Sequence, residues 1–232
     1  MLDVEIMILK PRIVASLGKS ALDEVLSAKD AEMIEVRLDL VAADPLETIK
    51  AIRKSTNQPI IATNRLATEG GRFEGSERKR IELLLEASDY ADYVDIELRS
   101  GLRNEFMSKV NKPVIVSYHD FSGTPRREEL QAMLEEMKRT GAAIAKIAIT
   151  PMSLKDNLSI LDFLLDADMP LCIIAMGELG RHMRAVAPIY GSLLTYGYVA
   201  EPTAPGQMKV ADLKAAMKML GYSGCSCSRA NN

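Results

Sequence analysis

The 232-residue sequence has no tryptophan, two histidines and three cysteines, and 29 lysines and arginines stand against 32 acids for a net charge of −3. Each scarcity excludes something. Cys172, Cys225 and Cys227 are too few, and odd in number, for a disulfide framework, which points to reduced thiols in a cytoplasmic protein. The balanced charge argues against a nucleic-acid binder, which gathers lysine and arginine on one face. No run reaches the roughly 18 to 20 apolar residues of a membrane span. The first residues, MLDVEIMILKPR, carry acids where a signal peptide is basic. Only His119 and His182 can supply imidazole chemistry.

What is present is a regular alternation of two patterns. Short β-branched runs occur at 12–17, 33–40, 59–65, 93–98, 113–120, 144–150, 171–176 and 194–199, each bounded by turn-forming residues. Between them lie helical patterns. Over 125–140, Leu130, Met133, Leu134 and Met137 recur at helical spacing. Over 153–166, Ser153 precedes Asp156 by three residues, and Leu154, Leu158, Leu161 and Leu165 share one face. Eight strands alternating with about eight helices predict parallel strands and right-handed crossovers. In this length the pattern fits an α/β (β/α)8 TIM barrel, a single domain over residues 1–222. Residues 1–10 add a strand beneath the barrel or fray, and 223–232 form a disordered tail holding Cys225 and Cys227. The first strand–helix turn, SLGKS, has no G-x-G-x-x-G and lacks the upstream glycine of a P-loop, which argues against a nucleotide site there.

Inside a barrel strand, polar residues need a reason. In MIEVRLDL, alternation sends Ile34, Val36 and Leu38 toward the helices and Glu35, Arg37 and Asp39 inward. YVDIEL repeats the pattern with Asp95 and Glu97 inward. Lys146 lies between apolar neighbours in IAKIAIT, where a desolvated amine is a nucleophile toward carbonyls. His119 ends the preceding strand and suits general acid–base work beside Lys146. His182 reads as a surface residue. Arg65, the ATEGGRFEG loop with Glu69, Arg184 and the EPTAPGQ segment surround the same mouth. Two arginines converging there, Arg65 and Arg184, suggest a small carboxylated substrate. No metal-ligand spacing is present.

Taken together, EVRLD (35–39), the Arg65 and E-G-G (69–71) pair, SYHDF (117–121), AKIA (145–148), MG-x-x-G-x-x-x-R (176–184) and APGQ (204–207) resemble the type I 3-dehydroquinate dehydratases of the shikimate pathway. The resemblance covers nearly the whole barrel. It implies dehydration of 3-dehydroquinate to 3-dehydroshikimate by syn elimination, with no cofactor, through a Schiff base on Lys146. It implies His119 as general base and acid, with Glu69 assisting near the leaving group. Glu35, Arg37, Arg65, Arg184, Thr203 and Gln207 match substrate-binding positions. Thr203 stands where serine is expected, and Tyr196 where the family often has phenylalanine. Asp95, Met176 and Tyr196 are expected to support the reacting groups, Asp95 by orienting His119. Relatives are often dimers, which implies a homodimer joined through exposed apolar residues on one barrel helix. Two other readings share these residues: a class I aldolase on the same scaffold, and a non-catalytic barrel that binds a metabolite.

Overall fold

A computed structural model describes residues 10–222, so the expectations for the first nine residues and for the tail with Cys225 and Cys227 lie outside the described residues. The strands are β1 (Arg12–Leu17), β2 (Met33–Arg37), β3 (Ile60–Thr63), β4 (Tyr93–Glu97), β5 (Val114–Asp120), β6 (Ile144–Ile149), β7 (Leu171–Ala175), β8 (Leu194–Tyr198) and β9 (Met208–Lys209). The helices are α1 (Ala21–Glu24), α2 (Pro45–Ser55), α3 (Glu77–Ser88), α4 (Arg103–Lys109), α5 (Arg127–Arg139), α6 (Leu154–Leu165), α7 (Gly177–Gly180), α8 (Met183–Val186) and α9 (Val210–Met219).

All strand pairs are parallel, in the order β7-β6-β5-β4-β3-β2-β1-β8-β9. This is the expected TIM-barrel α/β architecture, curled until β7 approaches β8. That seam is not a ladder. Leu193 N–H donates to Leu171 O at 2.7 Å, but the next donor, Ile173 N–H, goes to the Ser192 hydroxyl at 3.0 Å. The Cys172 thiol takes the Leu194 carbonyl at 3.2 Å. Side chains therefore supply partners that a regular ladder would draw from backbone. The two-residue β9 is an addition to the eight expected strands.

Alternation divides each strand as the pattern predicts. Ile34, Val36, Val94, Ile96, Val116, Ile147 and Ile173 pack outward against the helices. Val14, Met33, Ile61, Ile115, Ile144, Cys172 and Leu194 form a separate apolar floor inside the barrel. One step further along the strands, toward their carboxyl ends, come Ser16, Glu35, Thr63, Asp95, Ser117 and Lys146, all buried. Local chemistry sets the helix starts. The Asp44 carboxylate accepts the Glu47 N–H at 2.9 Å with Pro45 in the first turn, and the Asp156 carboxylate accepts the Ser153 N–H at 3.0 Å.

Three expectations need correction. β2 ends earlier than its apolar run, because Leu40 N–H turns back to Arg37 O at 2.8 Å, and β3 ends at Thr63 rather than at Arg65. Two crossovers are not single helices: β1–β2 is joined by α1 and a 3-10 turn, and β7–β8 by α7, α8 and a 3-10 turn containing Pro188. On α6 the leucine stripe is the wrong face for the core. Ile160, Phe163 and Leu164 are buried, whereas Leu154, Leu158 and Leu165 are 64%, 67% and 64% exposed.

Candidate active site

The carboxyl ends of the strands enclose a cavity of about 140 Å³, room for one small molecule. Eleven of the twelve sequence-predicted site residues line it: Lys146, His119, Glu69, Glu35, Arg37, Arg65, Arg184, Thr203, Gln207, Met176 and Tyr196. Asp95 lies just beneath, fully buried. His182 is exposed and away from the cavity.

Lys146 is not an isolated amine among apolar groups. Its Nζ sits 3.0 Å from Asp95 Oδ2 and 3.5 Å from Glu35 Oε1, and 4.3 Å from the centroid of the Tyr196 ring. The carboxylates are fixed in turn. Glu35 accepts from Ser16 Oγ at 2.5 Å and Thr63 Oγ1 at 3.0 Å, and Asp95 from Ser117 Oγ at 2.6 Å. Arg65 Nη1 reaches both Asp95 Oδ1 and Glu97 Oε1 at 2.8 Å. Behind it, Arg80 on α3 holds Glu97 at 2.9 Å and Glu77 at 2.7 Å. Three cations and three acids thus alternate through the barrel interior, with Glu77 closing the outer end. The Arg65 and Lys146 charges hold Asp95 far below the ordinary carboxylate range although burial pushes the other way.

His119 follows Ser117 on the inward face of β5, and β5 pairs with β6 so that Ser117 faces Lys146. Its Nδ1 lies 2.9 Å from Glu69 Oε2, and the same oxygen accepts the His119 N–H at 2.9 Å. The partner that orients the imidazole is therefore Glu69, whereas Asp95 is committed to Lys146, Arg65 and Ser117. Burial, with the nearby Arg65 and Lys146 charges, holds the His119 pKa well below 6.5, so the ring is neutral at neutral pH. Burial pushes Glu69 up to about 7 despite the opposing Arg65. The loop carrying Glu69 is folded back on the strand end: a Cβ at Gly71 would lie 1.8 Å from Arg65 O, so only glycine fits.

The arginines differ in what they have left to offer. Arg37 is forked to Asp39 at 2.9 and 2.7 Å, and Arg65 is neutralised by Asp95 and Glu97. Of the three arginines lining the cavity, only Arg184 meets no carboxylate within ion-pair distance among the described residues. Its guanidinium donates to the carbonyls of Gly206 at 2.9 Å, Tyr196 at 3.1 Å and Pro205 at 3.1 Å, and desolvation lowers its pKa to about 10. A buried cation without a counter-charge is a receptor for an anion. Convergence on a carboxylate therefore rests on Arg184 rather than on two free arginines. The segment it clamps is fixed by Gln207, whose Oε1 accepts the Thr203 and Ala204 N–H groups at 2.7 and 3.2 Å. Gly206, at φ +70°, passes so close to Gly177 O that a Cβ would meet it at 2.3 Å. The Thr203 hydroxyl donates to Ser16 Oγ at 2.9 Å.

Sequence reasoning missed Arg80 as well as the hydroxyls of Ser16, Thr63 and Ser117. Strand alternation could have found the hydroxyls. Arg80, in the charged run ERKR of a surface helix, carries no such signal.

This arrangement offers a lysine beside two carboxylates, a neutral imidazole above it and an anion receptor across the cavity. The family pattern described as Type I 3-dehydroquinase matches residues 13–223. A 3-dehydroquinate dehydratase of Methanothrix thermoacetophila is 53% identical over 214 residues, covering 91% of this chain and 92% of its own. One from Methanocella arvoryzae is 40% identical, with 91% and 97% covered. Among solved structures, the 3-dehydroquinate dehydratase of Geobacillus kaustophilus superposes with a TM-score of 0.84 at 29% identity, covering 93% of each chain. The type I enzyme of Clostridium difficile, solved with covalently modified comenic acid, gives 0.80 at 29%, covering 93% and 94%. Matched by that family pattern over residues 13–223 and 53% identical to the Methanothrix enzyme, the chain belongs to the type I 3-dehydroquinase family.

Proposed function

We propose that this pocket dehydrates 3-dehydroquinate to 3-dehydroshikimate, as a hydro-lyase of the shikimate pathway, through an imine formed on Lys146. The observation that carries the reading is the pairing of a buried lysine with a neutral histidine one strand away, under an arginine that lacks a counter-charge. Arg184 binds the substrate carboxylate. The Lys146 amine attacks the C3 ketone and expels water, and the resulting protonated imine acidifies the adjacent C–H in a way the ketone does not. His119, with Nδ1–H directed at Glu69, uses Nε2 to take the C2 proton and then returns a proton to the departing C1 hydroxyl. Glu69 supports that departure through its grip on the ring.

The remaining lining groups fit binding and positioning. Glu35, Arg37, Thr203 and Gln207 face the cavity with acceptors and donors suited to the hydroxyls of a polyhydroxylated ring. Arg65 spends its charge on Asp95 and Glu97, and so fixes the acids beneath Lys146 as well as lining the cavity. Met176 gives the cavity an apolar wall. The reaction as written draws on protein groups alone. No helix among the described residues is long and apolar enough to cross a membrane, and buried Cys172 carries a thiol whose pKa burial pushes up to about 12. Both fit an enzyme of the cytoplasm. A homodimer would cover the exposed leucines of α6.

The direct test is an absorbance assay for the conjugated enone product from 3-dehydroquinate, run beside Lys146→Ala. Turnover in the unmodified protein and its loss in the variant support the reading. No enone from the unmodified protein rejects it.

A further inference from the structure

Glu69 is buried in a turn that is otherwise open. Ala67, Thr68 and Gly70 beside it are exposed, whereas Glu69 is 1% exposed and holds both the backbone and the ring of His119. The turn is moored at its feet, where Leu66 N–H donates to Glu97 at 2.9 Å and Arg72 N–H to Asp39 at 3.1 Å. Its tip meets the head of β5 at two points. One is Glu69 itself, on His119. The other is Gly70, on Phe121. A Cβ at Gly70 would lie 2.8 Å from Phe121 Cζ, so the edge of the ring bears on bare glycine backbone, held at φ +83°.

The core does not account for Phe121. It is 47% exposed and belongs to neither apolar cluster of the barrel. Its backbone is nevertheless pinned on both sides. Thr150, just past β6, donates its hydroxyl to Asp120 O at 3.2 Å and its N–H to Gly123 O at 3.1 Å. The Asp120 carboxylate accepts the Ser122 N–H at 2.8 Å. A ring on so fixed a backbone, at the mouth of the cavity, is a stop against which the Gly70 turn rests.

We propose that Phe121 is a positioning residue for the His119–Glu69 pair: by bearing on Gly70 it keeps the turn closed and Glu69 seated on the imidazole. This deepens the proton-transfer reading of His119 above and rests on it. An imidazole that takes a proton at Nε2 must carry its own proton on Nδ1, and the bond made by Nδ1–H sets that tautomer. An ionised carboxylate is better solvated in water than in a buried turn, so Glu69 leaves the ring once nothing holds the tip. The ring then exchanges into the Nε2–H tautomer, which has no lone pair at Nε2 to accept a proton. Removing the Phe121 side chain therefore lowers the fraction of His119 in the competent form, while Lys146 and Arg184 keep the partners described above.

Phe121→Ala and Phe121→Leu test this in the full chain. With the histidine ring nitrogens isotope-labelled, only His119 and the exposed His182 give imidazole signals. The ligand-free protein is observed by NMR at a pH above the Glu69 value of about 7. His119 is expected as a single Nδ1–H tautomer in the unmodified protein and as a mixture of tautomers in Phe121→Ala. Phe121→Leu, which keeps apolar bulk against Gly70, should return most of the single tautomer. On 3-dehydroquinate, kcat should fall about tenfold in Phe121→Ala, part of the worth of a positioned acid–base group, with KM unchanged.

A Phe121→Ala protein with the tautomer of the unmodified one overturns the proposal. So does a rise in KM that carries the whole loss, which would make Phe121 a substrate contact. Mixed tautomers in the unmodified protein overturn it too, because there would be no grip to keep. The urea midpoint of Phe121→Ala should match the unmodified protein, and a fall like that of a core truncation would assign the ring to stability instead. The proton-transfer reading fails separately, if His119→Ala turns over 3-dehydroquinate at the unmodified rate while the tautomer result stands.

Discussion

Glu69 Oε2 accepts two bonds from one residue, the His119 N–H and the His119 Nδ1 side of the ring, each at 2.9 Å. A single carboxylate oxygen thus fixes both the backbone and the imidazole at the head of β5. Because burial raises Glu69 and lowers His119, the two titrate on opposite sides of the usual histidine value.

That pairing sets the pH dependence. His119 is already neutral at neutral pH, so the acid limb of activity belongs to Glu69. As pH falls through about 7, Glu69 gains a proton and holds Nδ1–H only as a neutral acceptor, so it no longer stabilises the positive charge the ring takes on with the C2 proton. The kcat/KM of the free enzyme should therefore fall below about pH 7. Glu69→Gln should lower the plateau and remove that limb. His119→Ala should cost roughly 10² to 10⁴ in kcat at every pH. A limb that survives in Glu69→Gln would assign it to another group.

Arg184 should govern substrate binding. Arg184→Met removes the cavity's un-neutralised cation, and KM should rise about 30-fold, the equivalent of about 2 kcal/mol for a charge-assisted hydrogen bond. Arg184→Lys, which keeps the charge and loses the fork, should fall between. Steady-state kinetics on 3-dehydroquinate make the check, and an unchanged KM in Arg184→Met would remove it from carboxylate recognition.

Arg80 should govern stability. It touches nothing in the cavity, yet it shares Glu97 with Arg65. Arg80→Met leaves a buried carboxylate with one cation fewer and should destabilise the fold by about 3 kcal/mol or more, read from urea unfolding. Retained stability would show that Arg65 alone satisfies Glu97.

The exposed α6 leucines should mark the dimer contact. Leu158→Glu combined with Leu165→Glu should shift the protein from dimer to monomer by light scattering. A protein that is monomeric before mutation, or a dimer that survives it, would place the contact elsewhere or remove it.

Much of this site could be read from the sequence because strands have a period of two. Once 33–37 is a barrel strand, Glu35 and Arg37 must face inward, and the same rule places Asp95, Glu97, Ser117 and Lys146. The rule failed where long-range contacts decide. Arg80 belongs to a helix whose charges look solvated, and only its distance to Glu97 reveals otherwise. Glu69 sits in a glycine-rich loop that reads as mobile until Gly71 is seen against Arg65. On α6 the leucines recur at helical spacing, but periodicity cannot say which face meets the barrel. Nor can alternation tell which arginine is already neutralised, because Asp39 and Asp95 are spent on partners chosen by the fold.

The proposed chemistry depends on the imine at Lys146, and borohydride reduction during turnover of 3-dehydroquinate tests it most directly. A reduced adduct on the peptide carrying Lys146, absent without substrate and absent in Lys146→Ala, is the expected result. Continued turnover with no adduct on Lys146 would contradict it.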